Sequence, residues 1–314
     1  MRIRTRDPRM IAPLVATVTL CLWTIDPPPT FAQTPPPPQA TSPDDRYVLG
    51  AASSPQLGVP TGTISEFTLA DSKTYPGYSH RWWLYVPAQY NGSTPLALMV
   101  FLDGGQFVQR DGTVRVPVVL DNLIAQNELP LMAAVFINPG RAIRPTPMSN
   151  EQRSYEYDTL SDQYARFLIT EILPDVQKHV RITNDPDGRG IAGISSGGIC
   201  AFTVAWQRPD QFRKVFSAIG SFVNIRGGGA YPDILRKTPR KPLRVFLQDG
   251  VNDELSGPFR GLNWPEGNRA MSAALALQEY DYQLVMGVGT HDPRHGAAIF
   301  PDAMRWLWRD YRSQ

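Results

Sequence analysis

The sequence predicts an α/β fold: one mostly parallel central sheet with helices on both faces, entered through an antiparallel strand pair. Three observations carry this expectation. Strand-like and helix-like stretches alternate from about residue 60 to the end of the chain. Several strand-like stretches are short, continuous apolar runs, as strands buried on both faces require. Finally, Gly193-Ile194-Ser195-Ser196-Gly197 stands between strand-like Arg189-Gly190-Ile191-Ala192 and a helix-compatible run over 198–206. Strand, G-x-S-x-G, helix describes a tight turn that lifts its middle serine into an exposed position. Glycines on either side let the backbone bend and the flanking elements pack closely.

The elements follow in order. Residues 64–70 and 81–86 form the antiparallel entry pair, with Trp82, Trp83 and Tyr85 as strand formers. Residues 96–102 form a buried strand that ends in Asp103-Gly104-Gly105, a sharp loop. A helix over 118–127 leads to a buried strand over 131–138, stopped by Pro139-Gly140. Residues 160–179 read as one long amphipathic helix with Pro174 inside it. After the serine turn come short strands at 215–219, 243–247 and 283–288. A helix over 265–280 precedes the last of these, and an aromatic-rich helix over 298–311 closes the chain. In such sheets the functional site lies outside the carboxyl ends of the strands.

The stretch before residue 47 is read differently. Arg2, Arg4, Arg6 and Arg9 precede a mostly apolar run over 11–25, and Thr30-Phe31-Ala32 offers a small-residue cleavage site. This is the layout of a secretory signal peptide over residues 1–32, with a retained anchor as the alternative. The apolar run is short for a membrane span, so no stable insertion is expected after cleavage. Residues 33–46, with Pro35-Pro36-Pro37-Pro38 and Pro43, read as a Pro-rich disordered linker. Residues 47–314 then make a single catalytic domain of ordinary size.

Charge and cysteine content narrow the function class. Of 31 Lys and Arg and 29 Asp and Glu, four Arg and two Asp lie in residues 1–32, leaving 27 of each sign. A neutral body with no basic cluster argues against nucleic acid as a partner. Only Cys200 remains after the expected cleavage, so no intrachain disulfide can form. An exported protein of this kind suits a secreted or periplasmic bacterial enzyme.

A serine needs a base and an orienting acid to become a nucleophile at neutral pH. Downstream of Ser195 the only histidines are His291 and His295, both in Gly289-Thr290-His291-Asp292-Pro293-Arg294-His295-Gly296. His291 is favoured as base because it directly follows the turn at a strand end; His295 stands at a helix start and is a substrate-contact candidate. The acid belongs on the loop Leu247-Gln248-Asp249-Gly250-Val251-Asn252-Asp253-Glu254. Asp253 is favoured, since Gly250-x-x-Asp253 lets the chain turn towards the histidine loop, and Asp249 and Glu254 stay as rivals. A tetrahedral intermediate needs two backbone donors. The N–H of Ser196 is one; the other comes from the loop after residue 102, where Gly105 is preferred to Gln106. Gln106, Phe107 and Trp264 are further candidates for substrate contact. Pro293 between the two histidines disfavours a helical metal pair, and no metal or cofactor is called for.

Taken together these stretches resemble the esterase family of the α/β-hydrolase superfamily that includes enterochelin esterase, S-formylglutathione hydrolase, the feruloyl and acetyl xylan esterases of carbohydrate esterase family 1, and the mycolyltransferases. The resemblance covers about residues 80–312. It rests on Val100-Phe101-Leu102-Asp103-Gly104-Gly105-Gln106-Phe107, Arg153-Ser154-Tyr155-Glu156-Tyr157, the serine turn, Asn268, Gly289-Thr290-His291-Asp292 and Trp306-Leu307-Trp308. The enterochelin esterase-like branch is the most similar. The resemblance implies an α/β-hydrolase fold, Ser195 as nucleophile, His291 as base, and Gly105 with Ser196 as the oxyanion hole. It also implies a place near the site for Arg153 and Glu156, as candidates for substrate contact. Thr290 departs from the pattern, which usually has Gly there. The expected function is an exported serine hydrolase of carboxylic esters, with a small-molecule or carbohydrate ester as partner. Acyl transfer to a sugar hydroxyl is the alternative, and an inactive binding module a remote third.

Overall fold

The computed structural model describes residues 42–145, 147–253 and 261–311. The expected signal peptide, most of the Pro-rich stretch and Glu254 lie outside the described residues. The strands are β1 (Thr63–Leu69), β2 (Tyr78–Val86), β3 (Ala97–Leu102), β4 (Met132–Ile137), β5 (Arg141–Ala142), β6 (Arg189–Ile194), β7 (Lys214–Ala218), β8 (Arg244–Gly250) and β9 (Asp281–Gly287). The helices are α1 (Gly104–Phe107), α2 (Val116–Ala125), α3 (Gln152–Tyr157), α4 (Gln163–Phe167), α5 (Leu173–Val176), α6 (Ser196–Gln207), α7 (Tyr231–Lys237), α8 (Trp264–Leu277) and α9 (Arg294–Trp308).

The sheet runs in the order β1-β2-β4-β3-β6-β7-β8-β9, with β5 pairing β2. The β1–β2 and β2–β4 pairs are antiparallel, and every pair from β4 through β9 is parallel. Along β3 the alternation of side chains separates two apolar layers. Leu98, Val100 and Leu102 pack with Phe167, Phe202, Tyr231 and Met271, hence with α4, α6, α7 and α8. Ala97, Met99 and Phe101 pack with Val119, Leu123, Phe300 and Met304, hence with α2 and α9. Helices cover both faces, so β3, β4 and β6 are buried along their whole length, which is why the first two read as unbroken apolar runs.

Strand order reverses direction between β3 and β6: the chain leaves β3 towards β4 on one side and β6 towards β7 on the other. This reversal point, at the carboxyl ends of the strands, is where open α/β sheets hold ligands. The loop after β3 and the serine turn after β6 approach each other there.

Two stretches differ from the sequence expectation. The helix expected over 160–179 is α4, a π-helical turn (Leu168–Ile172) and α5. Pro174 has no N–H and its ring crowds the carbonyl four residues back, so the preceding turn widens while the path continues. Pro43–Arg46, assigned to the linker, forms a 3₁₀ turn capped by Ser42, with Asp44 buried at 1 % exposure. The folded part therefore begins before Tyr47. Among the described residues, no helix is long and apolar enough to cross a membrane.

Candidate active site

Ser195 sits between β6 and α6 at φ 60°, ψ −123°, a conformation that costs a non-glycine residue energy and is kept only where packing imposes it. The packing is close. A Cβ at Gly193 would collide with the Gly197 backbone, and one at Gly197 would come within 3.1 Å of Asp103 Oδ2 and 3.5 Å of Leu102 Cβ. The two glycines of the pentapeptide thus let strand, turn and neighbouring loop approach one another.

His291 follows β9 and brings Nε2 to 2.8 Å from Ser195 Oγ. Its Nδ1 lies 2.8 and 2.9 Å from the two carboxylate oxygens of Asp253. Asp253 is fully buried and His291 is 18 % exposed at its side chain. An ionised carboxylate only accepts hydrogen bonds, so Nδ1 donates to Asp253 and Nε2 is left as the acceptor for the Ser195 hydroxyl.

The rival acid, Asp249, is buried and holds other partners. Its Oδ1 accepts the Gly250 N–H at 2.7 Å and its Oδ2 accepts Asn268 Nδ2 at 2.8 Å. Burial, then the hydrogen bond and charge of Asp253, push its carboxyl up to about 9. Of the two adjacent acids, Asp249 is the one that burial and its neighbour favour in the protonated form, and Asp253 is the one in contact with His291.

A second hydroxyl, which sequence reasoning missed, touches Ser195. Ser221 Oγ is 3.3 Å from Ser195 Oγ and accepts the Trp264 indole N–H at 3.1 Å. With the Ser195 proton directed to His291 Nε2, the Ser221 hydroxyl is the donor to Ser195 Oγ. Trp264 also sets its ring edge-on to His291, with centroids 5.2 Å apart. It is 1 % exposed, so it forms a wall of the site from within.

On the other side, Asp103 opens the loop after β3 in a left-handed conformation, φ 55°. Arg153 fixes it with two hydrogen bonds, 2.9 Å to Oδ1 and 2.7 Å to Oδ2, and reaches Ile194 O at 3.4 Å. Arg153 is a brace between this loop and the end of β6. The Gly105 N–H donates to Asn138 Oδ1 at 2.8 Å, and the Gln106 N–H donates to Asp103 O at 2.9 Å within the turn. Ser196 is the first residue of α6, where helix geometry supplies no acceptor for its N–H. Asn138 stands at the carboxyl end of β4, the strand beside β3. Its position after a buried strand is the one signal in the sequence that could have marked it.

Three residues named as substrate contacts are placed elsewhere. Phe107 is fully buried against Phe101 in the α2–α9 layer, because α1 turns its side chain inward. Glu156 is 1 % exposed and accepts from Gly140 N–H at 3.1 Å and from Gln152 Nε2, with His80 Nε2 3.0 Å away. It ties β2, the 139–140 turn and α3 together. His295 is 4 % exposed; its Nδ1 accepts Gln248 Nε2 at 2.8 Å and its ring stacks on Tyr47 at 4.1 Å. Burial lowers its pKa and keeps it neutral. Gln106 is exposed in the loop after β3.

With this geometry in view, a family model described as "Putative esterase" matches residues 75–307. The chain belongs to this esterase family. The reaction class that comes with membership is carboxylic ester hydrolysis. The chain is also similar to the enterobactin esterase of Shigella flexneri crystallised with 2,3-Di-hydroxy-N-benzoyl-glycine, at 24 % identity and a TM-score of 0.63 over 82 % of this chain and 62 % of that one. It thus spans about three fifths of that enzyme's length. The CE1 ferulic acid esterase AmCE1/Fae1A of the anaerobic fungus Anaeromyces mucronatus is similar at 16 % identity and a TM-score of 0.60, over 81 % of this chain and 93 % of that one. An uncharacterized protein of Bacillus subtilis, YbbA, is 23 % identical over 246 residues, 75 % of this chain and 95 % of that one. These identities are low, and the structural likeness is one of fold.

Proposed function

We propose that the protein is an exported serine esterase that cleaves acyl or aryl esters of a carbohydrate or siderophore-like molecule through an acyl-enzyme on Ser195. The observation that carries this reading is the unbroken line Ser195 Oγ, His291 Nε2, His291 Nδ1, Asp253 at 2.8 Å steps, on a strained turn at the reversal point of the sheet. His291 takes the Ser195 proton as Oγ adds to the ester carbonyl. The imidazolium that forms is stabilised by Asp253, in contact with its Nδ1. The oxyanion is received by the Ser196 N–H and by the Gly105 N–H, which exchanges Asn138 Oδ1 for the substrate oxygen. His291 gives its proton to the leaving alkoxide, and water, activated by the same imidazole, releases the acid.

The arginine-rich and then apolar residues 1–32 support export. The fold shared with enterobactin and ferulic acid esterases supports an acyl or aryl ester as substrate.

Hydrolysis of p-nitrophenyl acetate and methyl ferulate tests the reading. Wild type turns both over, while Ser195→Ala and His291→Ala each lose on the order of 10³-fold or more in kcat and keep the wild-type melting temperature. A folded His291→Ala that works like wild type would sink the mechanism. Product analysis with a sugar present separates water from a hydroxyl as acceptor.

A further inference from the structure

His291 stands on a loop between β9 and α9, and β9 is the edge strand, with no residue fully buried. Loops on edge strands are where positional freedom concentrates. This loop is nevertheless held on two sides. On one side, the β8 loop that carries Asp253 donates Val251 N–H to Gly287 O at 2.8 Å, Asn252 N–H to Gly289 O at 3.1 Å, and Asn252 Nδ2 to Val288 O at 2.7 Å.

The other side is held by residues 42–47, with Asp44 lying 246 positions before Thr290 in sequence. Asp44 Oδ1 accepts the Thr290 N–H at 3.0 Å, and Asp44 Oδ2 accepts the Thr290 hydroxyl at 2.6 Å. Tyr47 Oη accepts the Val288 N–H at 2.7 Å, and its ring stacks on His295. Arg294 joins Asp45 at 2.6 Å to Asp292 at 3.0 Å. The residues before and after His291 are thus bonded to this segment.

We propose that Asp44 and Tyr47 are positioning residues for His291, which set the imidazole in line with Ser195 from outside the sheet. The proposal rests on His291 being the base. A buried carboxylate that accepts two bonds from one loop residue fixes both the height and the rotation of that residue, and His291 is its direct neighbour. Without Asp44 the N–H and hydroxyl of Thr290 lose their acceptor, and the loop must shift to find another.

The test uses the full chain and the esters named above. Asp44→Ala is expected to lower kcat by about 10- to 100-fold, the scale set by a displacement near 1 Å, with KM within about 3-fold of wild type. Labelling of Ser195 by a fluorophosphonate probe, which also needs His291 in place, slows by a similar factor. Asp44→Asn, which keeps one acceptor, recovers part of the loss. If kcat and labelling stay within about 2-fold of wild type while the melting temperature falls, the segment is only a staple and the proposal fails. Should Asp44→Ala not fold, Thr290→Val removes only the hydroxyl bond and Tyr47→Phe only the Val288 bond. Each is then expected to lower kcat by about 3- to 10-fold, one hydrogen bond's worth, and wild-type kcat in both overturns the proposal. His291→Ala separates the failures: if it is inactive while Asp44→Ala is normal, only this inference falls.

Discussion

The two sides of the cleft around Ser195 are built on opposite plans. On the base side every polar group in the line is paired within the protein: Ser221 to Ser195, Ser195 to His291, His291 to Asp253. On the oxyanion side the Gly105 N–H is turned to Asn138 Oδ1. In the proposed mechanism, proton movement is organised in advance, whereas a substrate carbonyl must displace a protein acceptor before its charge is met. Preorganised donors cost nothing at the moment of reaction, and an occupied donor costs about the exchange of one hydrogen bond. The contrast teaches that the base side should tolerate no loss, and that the oxyanion side has room to be tuned.

The largest effect belongs to the base side. Asp253→Asn leaves the volume unchanged but removes the charge that holds the imidazole tautomer, and kcat is expected to fall by about 10³- to 10⁴-fold. His295→Ala, four positions from His291, is expected to stay within about 10-fold, since His295 packs on Tyr47 and Gln248 rather than facing Ser195. Steady-state kinetics on both variants break the comparison if the order is reversed.

The oxyanion side predicts smaller and opposite changes at one position. Asn138→Ala uncovers the Gly105 N–H and is expected to raise kcat/KM by about 2- to 10-fold on small esters. Asn138→Asp instead puts a negative charge where the oxyanion develops and is expected to lower kcat by at least about 10-fold. If Asn138→Ala lowers kcat/KM, the side chain serves the reaction instead of competing with it, and the two sides are built alike after all.

What is legible in the sequence follows the same division. Buried parallel strands announce themselves as apolar runs, so β3 and β4 are readable to within a residue or two, and the serine turn is marked by its own glycines. Ser195, His291 and Asp253 can be picked out because each follows a strand end in the order the proposed chemistry uses. Contacts that join distant segments leave no local trace. Asp44 reads as part of a Pro-rich tether, and its partner Thr290 is the residue that departs from the resembled pattern. Asn138, before Pro139-Gly140, reads only as a strand stop. Phe107, Glu156 and His295 lie beside site residues in sequence, but the alternation of directions within a turn sends them into the interior.

The smallest effect on activity concerns Asp249, the acid that sequence alone does not separate from Asp253. Its folded pKa is raised to about 9 from an ordinary 3.8. Between those values the folded protein holds a proton that the unfolded chain releases. Stability therefore falls as pH rises through that window, by up to about one proton's worth of slope, and the loss is complete above the folded pKa. Asp249→Asn mimics the protonated acid and keeps a donor for Asp253 at every pH. Melting temperatures from about pH 5 to 10 should show wild type losing ground to Asp249→Asn as pH rises, with kcat of the variant at neutral pH within about 10-fold of wild type. Parallel melting curves would mean that Asp249 is ionised in the folded state. The negative charge facing His291 would then be shared by two carboxylates, and the base side would lose the single fixed charge that sets it apart from the oxyanion side.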